Sequence, residues 1–227
     1  MKVAIVLTGH MRRWREVLPN FKERVVAKYN PDIFISTWND EGWYGQNQND
    51  QLDGFLSGSS KVYADEIQKE YSAKVVQVDD FESIKPDFVQ KIQRYPNYFH
   101  RSLNIYSMFY KMAKGIHSLE NYILETGTEY DLVIRMRPDM FVHQEMPDFN
   151  PNVFYTIHHA NHLGQGTGDM LQVGNLMNVT NFCRAIYHLP NIYNQLGVLC
   201  PHMTSTAMIG LLNLPWQPIG LNKELAR

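Results

Sequence analysis

The run YDLVIRMRPDMFV, Tyr130 to Val142, constrains this chain more than any other stretch. It opens as an apolar strand, Leu132-Val133-Ile134, and then carries Arg135, Arg137 and Asp139 at alternate positions around Met136 and Pro138. Side chains of extended backbone alternate between faces with period two, so the three charges fall on one side. Two cations and an anion at the end of an apolar strand are costly to bury without partners. Two readings are open: a structural ion-pair cluster, or a site where an anionic ligand carrying its own divalent metal satisfies all three. Pro138 has no N–H to offer a neighbouring strand and biases Arg137 toward extended geometry, which ends the strand here. A helical pattern, a polar turn, an apolar strand and then charge favours the site, because ligands of open α/β sheets sit beyond the carboxyl ends of strands.

The helix before this strand has the strongest periodicity in the chain. From Ser102 to Leu124, Leu103, Tyr106, Phe109, Tyr110, Ala113, Ile116, Leu119 and Ile123 make one apolar stripe, and Gly127 ends it. At the amino end, Lys2 to Leu7 reads as a buried parallel strand, followed by the turn Thr8-Gly9-His10 and a helix over 13–29 with Pro19 inside its pattern. Pro31-Asp32 then leads to a second strand, 33–35, and to Ser36-Thr37-Trp38. This is a βαβ unit, with the right-handed crossover that such units take. Residues 41–60 read as a long loop that orders over substrate, 63–72 as a helix, 74–78 as a strand, and 79–93 as a polar connection with a helix in it.

The chain has 227 residues, enough to bury a sizeable core in one domain. Its formal charge of −2 gives no electrostatic case for nucleic-acid binding. Two cysteines, Cys183 and Cys200, are too few for a disulfide framework, so a reducing, cytoplasmic setting is expected. The apolar run after Lys2 is too short for a secretory signal, and no stretch approaches the length of a transmembrane helix.

The segment Ser107 to Val142, with LTGHMRRW, DIFISTWND and, more loosely, TGDMLQVGN, resembles viral and bacterial glycosyltransferases of the GT-A fold. The resemblance implies an α/β architecture: a single GT-A-like (Rossmann-like) domain over 1–227, with a mixed, mostly parallel central sheet flanked by helices. Residues 1–142 would bind the nucleotide-sugar donor and 143–227 a glycan or glycoprotein acceptor, in the host cytoplasm if the source is viral. It makes Thr8, Gly9, Arg12, Trp38, Ser107, Lys111, Arg135 and Arg137 donor contacts, and Asp139 a ligand of Mn²⁺ or Mg²⁺ with His202 as a late second ligand. In such enzymes an aspartate also stands two positions earlier, where this chain has Arg137. It also places acceptor and catalytic groups near TGDMLQVGN, which makes Asp169 the candidate general base for an inverting transfer.

Several of these residues carry a structural reading beside the functional one. Trp38 is equally an aromatic at a strand end, Ser107 and Lys111 neighbours on a solvated helix face, and Gly9 a turn residue. His158, His159 and His162 cluster without a Cys or acid to complete a metal spacing. Gly164 to Gly168 reads as too glycine-rich for a regular element, with a strand at 170–174 after Asp169. Helices are expected over 182–196, broken at Pro190, and over 204–212. Two rival functions remain: an α/β nucleotidyltransferase, which the missing Lys-containing glycine-rich loop disfavours, and a non-catalytic carbohydrate-binding protein, which Arg137 keeps open.

Overall fold

A computed structural model describes residues 1–42, 60–97, 102–158 and 167–225, with the backbone alone at His158. The first half alternates strand and helix: β1 (Val3–Thr8), α1 (Trp14–Phe21), a π-helical turn (Lys22–Val26) running into α2 (Ala27–Tyr29), β2 (Asp32–Trp38), α3 (Ala64–Tyr71), β3 (Val75–Asp79) and α4 (Phe81–Ile92). Then come α5 (Ser102–Thr126), β4 (Leu132–Met136), β5 (Met140–Val142), β6 (Phe154–His158) and β7 (Thr167–Gly174). The chain continues through α6 (Leu176–Cys183), a 3₁₀ turn (Arg184–His188), α7 (Leu189–Leu196), α8 (Pro201–Leu211), β8 (Trp216–Ile219) and β9 (Lys223–Leu225).

Seven strands form one sheet in the order β3-β2-β1-β4-β7-β6-β8, and β5 pairs with β9 apart from it. β3, β2, β1 and β4 run parallel; β7 is antiparallel to both β4 and β6, and β8 is parallel to β6. The sheet is mixed and mainly parallel, helices cover it, and strands from 1–142 and 143–227 lie side by side in it. The alternation of side chains builds two cores. Val3, Ile5 and Leu7 join Trp14, Leu18 and Phe21 on one face, while Ala4 and Val6 join Phe109, Met112 and Ile116 of α5 on the other. Strands buried on both faces read as continuous apolar runs, which is what Val3 to Leu7 and Leu132 to Ile134 are.

Several elements differ from the sequence reading. β2 runs on to Trp38 and β4 to Met136, so Ser36, Thr37 and Arg135 are strand residues rather than flanking ones. β7 begins at Thr167, so Asp169 lies within the strand instead of before it. Pro190 and Pro201 sit in the first turns of α7 and α8, where a missing N–H costs nothing. Pro19 lies inside α1, and the helix continues past it through the π turn. The histidines at 159 and 162, the glycines at 164 and 166, the loop from 43 to 59 and most of the aromatic stretch at its 98–101 end lie outside the described residues.

One close approach fixes how α5 meets the sheet. A Cβ on Gly115 would come within 2.5 Å of Thr8 Cγ2 and 2.9 Å of Val6 Cγ1. Gly115→Ala therefore forces α5 away from β1. Alanine favours a helix over glycine by about 1 kcal/mol, which overpacking against an immobile buried strand outweighs. The expected loss is about 1–3 kcal/mol in urea unfolding; an unchanged midpoint would show that α5 shifts freely on β1.

Candidate functional site

In the sheet order, β1 leads outward to β2 and β3 on one side, while β4 returns to the other side of β1. The carboxyl ends of β1 and β4 thus flank the point where strand order reverses, the place where open α/β sheets leave a crevice. Thr8 and Gly9 end β1 there, and Arg137, Pro138 and Asp139 follow β4. Gly9 takes φ +122°, a conformation that favours glycine, and donates its N–H to Ser36 O at 3.2 Å. Because β7 is antiparallel to β4, its first residues arrive at the edge where the parallel strands stop. Asp169 comes to the crevice that way, with Arg137 N–H bonded to Met170 O at 3.0 Å.

The three charges of the sequence motif separate into two layers. Arg135 is wholly buried within β4, and its donors meet protein: Nε to Thr8 Oγ1 at 2.7 Å, Nη1 to Gln172 Oε1 at 2.9 Å and to the Asp169 carbonyl, and Nη2 to Thr8 O at 3.4 Å. Burial pulls this guanidinium down to about 10, which leaves it charged at neutral pH. Arg135, expected as a donor contact, has its side chain beneath the crevice, where it braces the floor. Gln172 passes the network on, giving its Nε2 hydrogen to Gly168 O at 3.1 Å, which also accepts from Thr156 Oγ1 at 3.0 Å. Gln172 and Thr156 were missed in the sequence, where a polar side chain inside the apolar run Met170 to Val173 was the available signal.

Arg137 and Asp139 form the upper layer. Arg137 Nε and Nη2 grip Asp139 Oδ1 and Oδ2 at 2.8 and 2.7 Å, a two-pronged pair. Arg12, from the turn after β1, places Nη1 3.5 Å from Asp139 Oδ2, and Arg137 Nη1 lies 3.7 Å from Asp169 Oδ2. Burial disfavours both members of the Arg137–Asp139 pair. Their attraction outweighs it, so the carboxyl is held below its ordinary value and the guanidinium above its own. His202, in the first turn of α8, puts Nδ1 3.2 Å from Thr167 O and 4.0 Å from Asp169 Oδ1. A carbonyl oxygen accepts only, so Nδ1 is the donor in that contact.

This donor set does not fit the Mn²⁺ or Mg²⁺ expected at Asp139. Such an ion needs oxygen ligands at about 2.1 Å, yet both Asp139 oxygens are taken by Arg137 and the side chain is 1% exposed. His202 has one acid nearby, and among the described residues no three His, Cys, Asp or Glu side chains are grouped to hold a metal.

Lys111 lies against Trp38, whose ring is 6.3 Å from that of His10 in the turn after β1, and Ser107 stands about one helical turn before Lys111; all three side chains are buried. Trp38 is 1% exposed, stacked on Tyr110 and edged by Phe81 and Phe88, the surroundings of a core aromatic. Lys111 is buried over its ring at 4.1 Å and bonds Asp79 Oδ2 at 2.7 Å; burial pulls the ammonium down to about 8. Ser107 Oγ donates to Asn104 O, closing a turn of its own helix. The alternative reading of Ser107 and Lys111, a solvated helix face, does not hold, since the α5 stripe is wide enough to bury both.

No protein-family model and no curated protein sequence matches the chain. Among solved structures it is similar to a glycosyltransferase involved in the glycosylation of the major capsid of PBCV-1. That likeness has 10% identity over 96% of this chain and 82% of the other, with a TM-score of 0.42.

Two groups at the site set opposite ends of a pH profile. Burial lowers His10, beside Asp40, below its ordinary 6.5, so the folded state binds fewer protons than the unfolded one and stability declines as pH falls below that value. Asp139, depressed below 3.8, contributes fully above that pH and is lost as pH falls through it. Urea unfolding from pH 8 to 3 should show two descents, and His10→Gln should remove the upper one while letting the Asp40 carboxyl, which His10 helps to hold down, rise. An upper descent that survives the substitution would remove His10 as its source.

Proposed function

We propose that this chain is a glycosyltransferase that moves a sugar from a nucleotide-sugar donor to a hydroxyl of a glycan or glycoprotein acceptor. The observation that carries the reading is the set of Arg12, Arg137 and Asp169 at the reversal point between β1 and β4, over a floor braced by Arg135. Sugar transfer demands two things of such a place. Negative charge growing on the departing diphosphate must be met, and the acceptor hydroxyl must lose a proton. Arg137 and Arg12 supply fixed positive charge where a diphosphate would lie, and preorganised charge of this kind is commonly the largest catalytic term. Gly9, half-buried, forms the backbone wall on the β1 side, above the buried Thr8 that Arg135 holds.

In an inverting displacement the acceptor oxygen bonds to the anomeric carbon, the carbon–oxygen bond to the diphosphate breaks with its electron pair, and the acceptor proton passes to Asp169. The two functions of Asp169 use different atoms. Its carbonyl accepts from Arg135 while its carboxylate lies beside Arg137 and His202. A side-chain substitution therefore leaves the brace intact.

The test is a thermal-shift screen of nucleotide sugars followed by turnover with acceptor glycans. A donor at about a hundredfold excess over its Kd stabilises the fold by about 2.7 kcal/mol, a rise in Tm of roughly 5–10 °C for a chain of this size. Asp169→Asn should keep that rise and lose transfer by roughly 10²–10⁴-fold. Release of pyrophosphate from a nucleoside triphosphate would favour the nucleotidyltransferase, and sugar binding with no donor turnover the carbohydrate-binding protein.

A further inference from the structure

We propose that this site binds the donor diphosphate directly on guanidinium groups, with Arg137 standing where a divalent cation would stand, so that a nucleoside diphosphate binds without metal. The inference rests on the transferase reading and specifies how its donor is held.

The argument starts from what the site presents to a ligand. Asp139 is closed, with 1% of its side chain exposed, while Arg137 keeps 20% and Arg12 28%. An incoming group therefore meets the cations, and the carboxylate stands behind them. Arg12 and Arg137 both reach Asp139, and Arg137 also reaches Asp169, so the two half-exposed guanidiniums stand between the buried carboxylate and the crevice.

Asp139 is also engaged in a way that orients its partner. Its two oxygens hold Nε and Nη2 of Arg137 in the plane of the carboxylate, and the Arg137 N–H is tied to Met170 O, so the fork is fixed from both ends. That leaves the Nη1 hydrogens and the second Nη2 hydrogen of a planar, always charged group held in one orientation, an edge suited to phosphate oxygens. Nη1 of Arg137 points the same cation toward Asp169, which would set the diphosphate and the proton acceptor on either side of one guanidinium. Arg12 reaches the cluster from the turn after β1, across the reversal point, and so supplies the second positive wall of the crevice.

The experiment is isothermal titration of UDP, GDP, ADP and CDP, each in EDTA, in Mn²⁺ and in Mg²⁺, with the wild type, Arg12→Gln and Arg137→Lys. Arg12→Gln leaves the Arg137–Asp139 pair in place, and Arg137→Lys keeps the charge that Asp139 requires, so both variants are expected to fold; circular dichroism checks this before titration. The expected result is a diphosphate that binds with the same Kd in EDTA and in metal to within about twofold. Arg12→Gln should weaken it roughly 10- to 100-fold, the range for a hydrogen bond to a charged group, and Arg137→Lys should weaken it similarly by loss of the fork. Binding that needs Mn²⁺ or Mg²⁺ overturns this inference and leaves the transferase standing. Metal-free binding untouched by both substitutions overturns it too, since the diphosphate then lies elsewhere. If no diphosphate binds under any condition, the transferase reading falls and the inference with it.

Discussion

A buried guanidinium inside a sheet has to be satisfied by its neighbours, and Arg135 imposes that demand on both flanking strands at once. Its donors reach Thr8 of β1 and Asp169 and Gln172 of β7, so β4 is laced to both neighbours by side chains as well as by the backbone. Register makes this possible. Arg135 lies opposite Val6 and Gln172, Gln172 opposite Thr156, and Thr8 opposite Ser36, so a row of polar side chains crosses the sheet on the face that α5 covers. Removing one member of such a network costs more than its own bonds, because the groups left behind stay buried and unpaired. Cys183 of α6 lies on the same side, wholly buried, with burial pushing its thiol up to about 12, which makes it an inert packing group there.

The edge above that row is built from paired opposites. Lys111 with Asp79, Arg137 with Asp139, and His10 with Asp40 each keep a buried or half-buried charge or ring beside a partner near the carboxyl ends of β1 to β4. Of these, the pair at Lys111 is sealed under Trp38 and its aromatic neighbours, while the one at Arg137 faces the crevice. The same residue types thus do different work according to depth. Behind aromatic rings they specify packing; at the reversal point of the sheet they leave positive charge where a ligand can meet it.

Much of this was legible from period and punctuation. The α5 stripe, the apolar runs of β1 and β4 and the glycine after α5 all carry their structure locally, and each forms where the pattern puts it. What was not legible depends on partners distant in sequence. Arg135 reads as the end of a strand because a charge is costly to bury, and its burial is affordable only because Thr8 and Gln172 stand beside it. Trp38 reads as a pocket wall until Phe81, Phe88 and Tyr110 arrive from elsewhere. The helix expected within the polar stretch 79–93 is α4, whose bounds come from its Asp80 cap and from the burial of Phe81, Phe88 and Ile92, too sparse to make a stripe. The site itself was half visible: the charges could be placed at a strand end, but their sorting into a buried brace and an exposed pair needed the neighbouring strands.

β5 follows the site directly and belongs to no large sheet. It is held from one side by Asn20 of α1, whose side chain exchanges two hydrogen bonds with Val142, and from the other by β9, with Met140 opposite Leu225 and Phe141 opposite Glu224. The first clasp can form once residue 142 has left the ribosome, although it closes over 122 residues, whereas the second waits for residue 225. During synthesis the segment bearing Asp139 can therefore be fastened on the α1 flank before the β9 flank, and both contacts carry the cost of closing a long loop. A nascent chain can in this way hold a nearly finished sheet while its ligand-facing corner is still open.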